Sequence, residues 1–293
     1  MANCSIYGKS LEYAFVSILQ PSVRIDSNKL VESYKKKWDK LATTKQKDFL
    51  TCAYQVLDKF RIIDNPKVSE ISIKLFADNA GKKCIVADLQ IEFKRGKKKY
   101  RLKLSIKNNK IYAKSQRPGA IPTQCGYCID DEECEIYKKE YRLITDYFYE
   151  KYKHHKKFNQ LKKEDKYNDL YLPICNLVAK TISKCEKKHI QSLYTFLKGK
   201  TGYWQVVNQK KNIIIYNFNR KYALPTRVKI TRNKNGYIIL TFNNKHIFHL
   251  RLHTAQSKLT KIPSLKFDTI LFNQDELYAK ITIPKDNTLV YLI

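Results

Sequence analysis

Hydrophobic positions in the first sixty residues recur at helical spacing. In the segment 8–20 they fall at i, i+3, i+4, i+7 and i+8, which places them on one face of a helix. Pro21 follows directly, and proline disrupts a helix interior, so the first helix is predicted to end there. The segments 28–41 and 44–60 have similar spacing and predict two more helices, the first with Asn28 as its N-cap.

The pattern then changes to the period of two that is typical of strands. Apolar and polar residues alternate over 69–76, and two further runs at 84–93 and 100–107 are separated by a short charged turn, 94–99, which contains a glycine. These runs predict a strand followed by a β-hairpin. The run 110–115 is expected to extend the hairpin as a third short strand.

The middle of the chain is predicted to be helical and the last part to be β-rich. Prolines and glycines predict a loop at 116–131, and helices are predicted at 132–155 and, as one or two helices, at 171–199. From 202 to 285, short β-branched and aromatic runs alternate with turn residues. The strands predicted there are 203–208, 212–218, 226–232, 236–242, 245–252, 266–273 and 277–284.

These elements predict an α/β (α+β) protein, with a mixed sheet flanked by helices and a β-rich C-terminal third. A length of 293 residues suits one large domain or two smaller ones. The change in pattern favours a helical and α/β region at 1–195 and a β-rich region at 196–293. This boundary is soft, and a single domain is the alternative.

The charge of the chain is strongly positive. Lys and Arg number 57 against 27 Asp and Glu, giving a formal net charge of +30, which favours a polyanionic partner. Only ten of the basic residues are Arg, so an AT-rich genome is a second explanation for the excess of Lys. Nucleic acid is the first candidate partner. A membrane surface is the second candidate, but no long helix has an apolar face opposite a Lys-rich one. No apolar run approaches the roughly 18 residues of a membrane span.

The eight cysteines are read as mostly free thiols. The N-terminal residues lack the apolar segment of a secretion signal, which predicts a reduced, cytoplasmic protein. Cys125, Cys128 and Cys134 resemble part of a zinc site, but a structural zinc site needs four ligands and no second pair is close in sequence. Free thiols on a loop are the favoured interpretation. Neither a P-loop nor a Rossmann glycine pattern is present, so no nucleotide cofactor is expected.

The hairpin carries the candidate chemistry. Asp88 lies on its first run, and Ser105 and Lys107 are two residues apart on the second, hence on one face. If that face also carries Asp88, the three side chains could support metal-assisted attack of water on a phosphodiester. Mg²⁺ prefers carboxylates, and Glu12 or Glu92 could supply a second one. The alternative is that these side chains lie on a solvated strand face.

Two further segments extend this hypothesis to a family. Residues 8–14 (GKSLEYA), 248–258 (FHLRLHTAQSK) and 263–268 (PSLKFD), together with Asp88 and 104–107 (LSIK), resemble the HaeIII family of type II restriction endonucleases. These enzymes belong to the PD-(D/E)XK nuclease superfamily. The resemblance covers most of the chain, but only in islands, and its C-terminal island is the most specific.

The resemblance implies a PD-(D/E)XK-like sheet and Mg²⁺-dependent cleavage of double-stranded DNA at a short palindrome, GGCC in that family. It assigns Asp88 as the metal-ligand aspartate, Lys107 as the lysine and Glu12 as the helix carboxylate. Two positions depart from the pattern. Ala87 stands where the family has proline, and Ser105 where it usually has glutamate, so Glu12 or Glu92 would have to supply the missing charge.

Basic and polar residues outside the hairpin are candidate DNA contacts. Arginine and lysine make the commonest specific contacts to guanine, which favours such a role in the C-terminal island. The candidates are Lys114, Arg117, Arg251, His253, Ser257, Lys258 and Lys266. The alternative is a solvated strand end for the first two, a turn-capping role for His253, and exposure to water for Lys258 and Lys266. Asp268 shares a strand face with Lys266 and is expected to pair with it.

The leading hypothesis is therefore a sequence-specific double-stranded DNA endonuclease. A palindromic target favours a two-fold symmetric homodimer acting on DNA. A non-catalytic basic protein that binds nucleic acid is the first alternative. A structural protein whose positive charge reflects genome composition is the second.

Overall fold

A computed structural model describes residues 2–20, 23–25, 28–77, 85–109, 111–112, 114–232 and 237–286. Cys84, in the predicted hairpin, lies outside the described residues, as does the side chain of Lys114. The α-helices are α1 (Ala2–Leu19), α2 (Asn28–Trp38), α3 (Thr43–Lys59), α4 (Ile121–Gln124), α5 (Glu132–Tyr152), α6 (Lys163–Lys166), α7 (Leu172–Ser183), α8 (Lys187–Lys198) and α9 (Gln274–Leu277). 3₁₀ turns lie at Pro118–Ala120 and Phe158–Gln160, and a π-helix lies at Tyr167–Tyr171.

The strands are distributed over the whole chain. They are β1 (Arg24–Ile25), β2 (Val68–Leu75), β3 (Leu89–Arg95), β4 (Lys98–Asn108), β5 (Lys114–Gln116), β6 (Trp204–Asn208), β7 (Asn212–Asn217), β8 (Val228–Arg232), β9 (Tyr237–Phe242), β10 (Ile247–Thr254), β11 (Leu265–Leu271) and β12 (Lys280–Pro284). All seven strands predicted after residue 200 are found, with ends shifted by a few residues. The mixed α/β class and the β-rich C-terminal part are thus confirmed.

The chain divides into two compact units, each built from separate segments. Unit 1 consists of Met1–Ile111, Thr201–Lys221 and Tyr278–Ile293, and unit 2 of Tyr112–Lys200 and Tyr222–Leu277. This division differs from the predicted boundary at residue 195, because each unit takes segments from both sides of it. Strand character marks where β elements lie along the chain, but it does not show which sheet each strand joins.

Unit 1 contains a seven-stranded mixed sheet in the order β1-β2-β3-β4-β6-β7-β12. β1 is parallel to β2 and β4 is parallel to β6, while the other neighbours are antiparallel. Alternate residues of β3 and β4 are apolar and are buried in one core with side chains from α1, α2 and α3. In this core α1 packs against β4, which fixes α1 relative to the hairpin.

Unit 2 contains a five-stranded antiparallel sheet in the order β5-β11-β10-β9-β8. β5 pairs with β11, with Ser115 opposite Asp268, so the prediction that residues 110–115 extend the hairpin is wrong. A three-residue strand is too short for its own apolar pattern to select a partner.

Among the described residues, no helix is long and apolar enough to cross a membrane.

Candidate functional site

The turn between β3 and β4 determines which side chains meet. A two-residue loop beginning at Gly96 joins the strands, and Gly96 has a φ of +59°, a conformation that glycine adopts without steric cost. This tight loop fixes an antiparallel register in which Leu89 lies opposite Leu104. When this register is extended by one residue beyond Leu89, Asp88 lies beside Ser105 on one side of the sheet.

Three donors from β4 converge on one oxygen of Asp88. Its Oδ2 accepts hydrogen bonds from the backbone N–H of Ile106 at 2.6 Å, from Lys107 Nζ at 3.0 Å and from Ser105 Oγ at 3.3 Å. Asp88 itself lies in a bend just before β3 rather than within a strand, and its N–H donates to the carbonyl of Leu104. No described residue donates to Oδ1, which is therefore the oxygen that could bind a cation.

The position of the Asp88–Lys107 pair suits an exchangeable ligand. Both side chains are 23% exposed, so the pair is neither sealed in the core nor freely solvated. Such a pair is attracted more strongly than a surface pair, yet water and ions can still reach it. The prediction that these two residues meet on one face is confirmed at a distance of 3.0 Å.

Glu12 on α1 belongs to the same electrostatic cluster. Its side chain is almost fully buried and lies 3.2 Å from Lys9 Nζ. Burial and the negative charge of Asp88 raise the pKa of Glu12 to about 8, against the opposing effect of Lys9 and Lys107. The carboxyl group is therefore largely protonated near neutral pH. A divalent cation between the two carboxylates would remove the repulsion and displace that proton.

Glu92, the other predicted carboxylate, is held elsewhere. It accepts hydrogen bonds from Arg101 Nε at 2.7 Å and from Gln90 Nε2 at 2.9 Å. Glu92 is four positions further along the chain than Asp88, a span of about 13 Å. The suggestion that Glu92 shares a metal with Asp88 is thus corrected, because a shared strand face does not make residues neighbours when they lie two pleats apart.

The carboxyl groups of Asp88 and Glu12 are the candidate ligands for Mg²⁺. Both offer carboxylate oxygen, and Mg²⁺ is commonly bound by one or two carboxylates with water and phosphate oxygens completing the octahedron. No group of three or more His, Cys, Asp and Glu that could hold a metal occurs among the described residues. The described residues therefore contain no metal site made of protein ligands alone. A site in which substrate and water complete the coordination does not need three protein ligands.

Sequence reasoning missed two residues next to this cluster. The parallel pairing of β4 and β6 places Gln205 beside Ser105, and both are fully buried. Tyr203, two residues before Gln205, is also buried, and the pKa of its phenol is raised by burial and by the charge of Asp88. No local sequence pattern identifies these residues, because about a hundred residues separate the two strands. Parallel strands are also not joined by a tight turn that would reveal their pairing.

Unit 2 presents the second predicted set of residues on the open face of its sheet. Arg251 on β10 is exposed, and His253 and Lys266 are partly exposed. His253 Nε2 lies 3.2 Å from Asp268 Oδ1, and this contact raises the pKa of the imidazole. His253 Nδ1 is 3.0 Å from the carbonyl of Thr254. The expected partner of Asp268 was Lys266, so that pairing is corrected to His253, its cross-strand diagonal neighbour.

The remaining predicted contacts are also found in unit 2. Ser257 and Lys258 are exposed and follow β10, where the carbonyl of Ser257 accepts from the N–H of Phe158. Arg117 is exposed and lies 3.4 Å from Ser264 Oγ. These side chains are available to a partner. Nothing in their local geometry distinguishes a DNA contact from a solvated residue.

The candidate zinc cysteines do not form a metal centre among the described residues. Cys125 and Cys134 are buried free thiols and Cys128 is an exposed one. Cys185, which is distant in sequence, hydrogen-bonds with Cys125, and this contact raises the pKa of Cys125 and lowers that of Cys185. The stacked rings of Tyr127 and His189, 3.8 Å apart, lie beside this pair.

Comparison with known proteins adds no relative to this picture. No protein-family model, no curated protein and no solved structure matches the chain. The interpretation of the site therefore depends on its geometry and on the resemblance carried by the sequence islands.

Proposed function

We propose that the protein is a Mg²⁺-dependent endonuclease that hydrolyses phosphodiester bonds in double-stranded DNA. The observation that carries the proposal is the contact between Asp88 and Lys107, with Glu12 in the same electrostatic cluster. Asp88 and Glu12 supply two carboxyl groups, and Lys107 supplies an ammonium group. Metal-assisted cleavage of a phosphodiester uses groups of these two kinds. Ser105, in the usual glutamate position, holds Asp88 instead of binding the ion.

Each residue has a distinct task in this proposal. Asp88 and Glu12 would hold the cation, which would supply a Lewis acid and lower the pKa of a bound water. Lys107 orients the attacking water and stabilises the negative charge that develops on the phosphoryl oxygens. The attacking water would lose one proton to solvent as its oxygen bonds to phosphorus, the bond to the leaving oxygen would break, and the departing alkoxide would take up a proton from solvent. Ser105 and the Ile106 N–H keep Asp88 in place.

The choice of duplex DNA as substrate depends on charge and on the open sheet of unit 2. The net charge of +30 favours a polyanion. Arg251, His253 and Lys266 supply donors suited to phosphates and base edges. A short palindrome, GGCC if the family resemblance holds, would be bound by a homodimer with one active site for each strand.

Incubation of the purified protein with duplex DNA and Mg²⁺ tests the proposal. Discrete fragments are expected with Mg²⁺ and none with EDTA or with Asp88→Asn. Binding without cleavage in any divalent cation would favour the second candidate, a non-catalytic nucleic-acid-binding protein, which the exposed cations of the unit 2 sheet support. Absence of both cleavage and salt-dependent binding would reject both candidates, because phosphate contacts weaken as salt rises.

A further inference from the structure

Tyr203 has a buried hydroxyl group that no described group satisfies. The residue is 2% exposed, and its Oη has no hydrogen-bond partner among the described residues. Buried hydroxyl groups are normally hydrogen-bonded, because losing water without a replacement is unfavourable. A phenylalanine would fill the same space without that penalty, so the hydroxyl group calls for an explanation.

The backbone around Tyr203 is held firmly. The carbonyl of Tyr203 accepts a hydrogen bond from the N–H of Phe218 at 2.9 Å, and the two rings stack with centroids 4.8 Å apart. A side chain on the preceding Gly202 would come within 2.9 Å of the Asn219 backbone, so this approach requires glycine. The phenol therefore cannot swing away to find water without disrupting this packing.

The sheet register places Tyr203 on the same face of the sheet as the candidate metal site. Gln205 lies beside Ser105, and side chains two residues apart on a strand share a face, so Tyr203 lies on the face that carries Ser105 and Asp88. The charge of Asp88 acts on the phenol and, with burial, raises its pKa. Tyr203 consequently remains protonated at neutral pH and can donate a hydrogen bond.

We propose that Tyr203 is a positioning residue of the metal site, whose hydroxyl donates to a water molecule bound to the divalent cation held by Asp88 and Glu12. This inference rests on the proposed function. Such a contact satisfies the buried hydroxyl only when the cation and its water are present. It also fixes the direction of one water ligand, as partners beyond the direct ligands do in other metal sites.

The test measures Mn²⁺ binding to the intact chain by the loss of the free-ion EPR signal, and thermal unfolding with and without Mn²⁺. Tyr203→Phe is expected to weaken Mn²⁺ binding by about 10- to 100-fold. Without metal, the variant should be at least as stable as the wild type, because it loses an unsatisfied buried hydroxyl. The rise in melting temperature on adding Mn²⁺ should be smaller in the variant.

Tyr137→Phe provides a matched control in unit 2. Tyr137 is equally buried, but its hydroxyl donates to the carbonyl of Pro118 at 2.7 Å. Removal of this hydroxyl group should lower the melting temperature with and without Mn²⁺ and leave the affinity for Mn²⁺ unchanged. Equal Mn²⁺ affinity in wild type and Tyr203→Phe, with loss of binding in Asp88→Asn, would overturn the role of Tyr203 alone. A wild-type protein that binds no Mn²⁺ would overturn the proposed function together with it.

Discussion

The two sheets place their charged residues in different ways. In unit 1, the carboxyl groups of Asp88 and Glu12 interact with each other and with Lys9 and Lys107, and Glu12 is buried almost completely. In unit 2, cations lie on an open antiparallel face, and the His253–Asp268 pair is partly solvated. Burying charge is costly unless a partner or ion compensates it, whereas exposed charge costs little.

Under the proposed function, this difference corresponds to a division of labour, with cleavage in unit 1 and binding in unit 2. Buried groups that shift each other's pKa values are typical of sites that transfer protons or bind metal ions. An exposed face with cations can attract a polyanion, and this attraction weakens as salt rises. Such a face does not shift the pKa values of groups that make or break bonds. Variants in unit 1 should therefore change the rate of cleavage, and variants in unit 2 should change binding.

The largest expected effect comes from Asp88→Asn. The substitution keeps the shape of the side chain but removes the charge that binds the cation and pairs with Lys107. Cleavage should fall by roughly 10²–10³-fold or more. DNA binding measured in Ca²⁺ should change little. Asp39→Asn, which breaks an exposed pair with Lys35 at 2.9 Å, is the matched control and should cleave normally. Comparable loss in both variants would contradict the assignment of the site.

Glu12 gives the next largest effect, through pH. The pKa of its carboxyl is raised from 4.5 to about 8 by burial and by Asp88, so metal must displace a proton below that pH. Mn²⁺ affinity should rise about tenfold per pH unit from pH 6 toward 8 and then level off. Calorimetric titrations in buffers of different ionisation enthalpy would measure the released proton.

The same carboxyl affects the stability of the metal-free protein. Because its folded pKa exceeds its unfolded value, its contribution to stability is full below about 4.5 and is lost as pH rises through about 8. Glu12→Gln should bind Mn²⁺ weakly but without this pH dependence, and its unfolding should vary less between pH 5 and 9. Proton release that persists in Glu12→Gln would assign the titration to another group.

Arg251→Ala should affect binding instead of chemistry. Arg251 is exposed on β10, and losing one phosphate or base contact should weaken duplex binding by about 1–2 kcal/mol, or roughly tenfold. The slope of log affinity against log salt should decrease by about one. The cleavage rate at saturating DNA should stay the same. Arg142→Ala, on an exposed face of α5, is the control and should retain normal affinity.

Much of the local structure could be predicted because its signals are local. The apolar spacing of α1 and α3, and the glycine turn of the hairpin, depend on neighbouring residues. The turn also fixes register, which is why the meeting of Asp88 and Lys107 was predictable. Asp88 lies just outside β3 rather than within it, in agreement with the low frequency of aspartate in strands.

Long-range pairing could not be predicted in the same way. The pattern of β5 does not reveal that it joins β11, and that of β6 does not reveal that it lies parallel to β4. Tyr203 consequently escaped notice, although the charge of Asp88 acts on its phenol. The choice of His253 over Lys266 as partner of Asp268 likewise depends on side-chain geometry across two strands.

The smallest expected effect concerns His253. Contact with Asp268 raises the pKa of its imidazole above 6.5, so the pair stabilises the folded state fully below about 6.5 and loses that effect as pH rises through the raised pKa. Partial exposure limits the gain to about 0.2–1 kcal/mol. Chemical denaturation of wild type and His253→Gln should show a stability difference at pH 5.5 that shrinks by pH 8.5. Since the pair lies in unit 2, Mn²⁺ affinity should be the same in both proteins. A change in Mn²⁺ affinity would mean that the two sheets do not divide binding and chemistry between them.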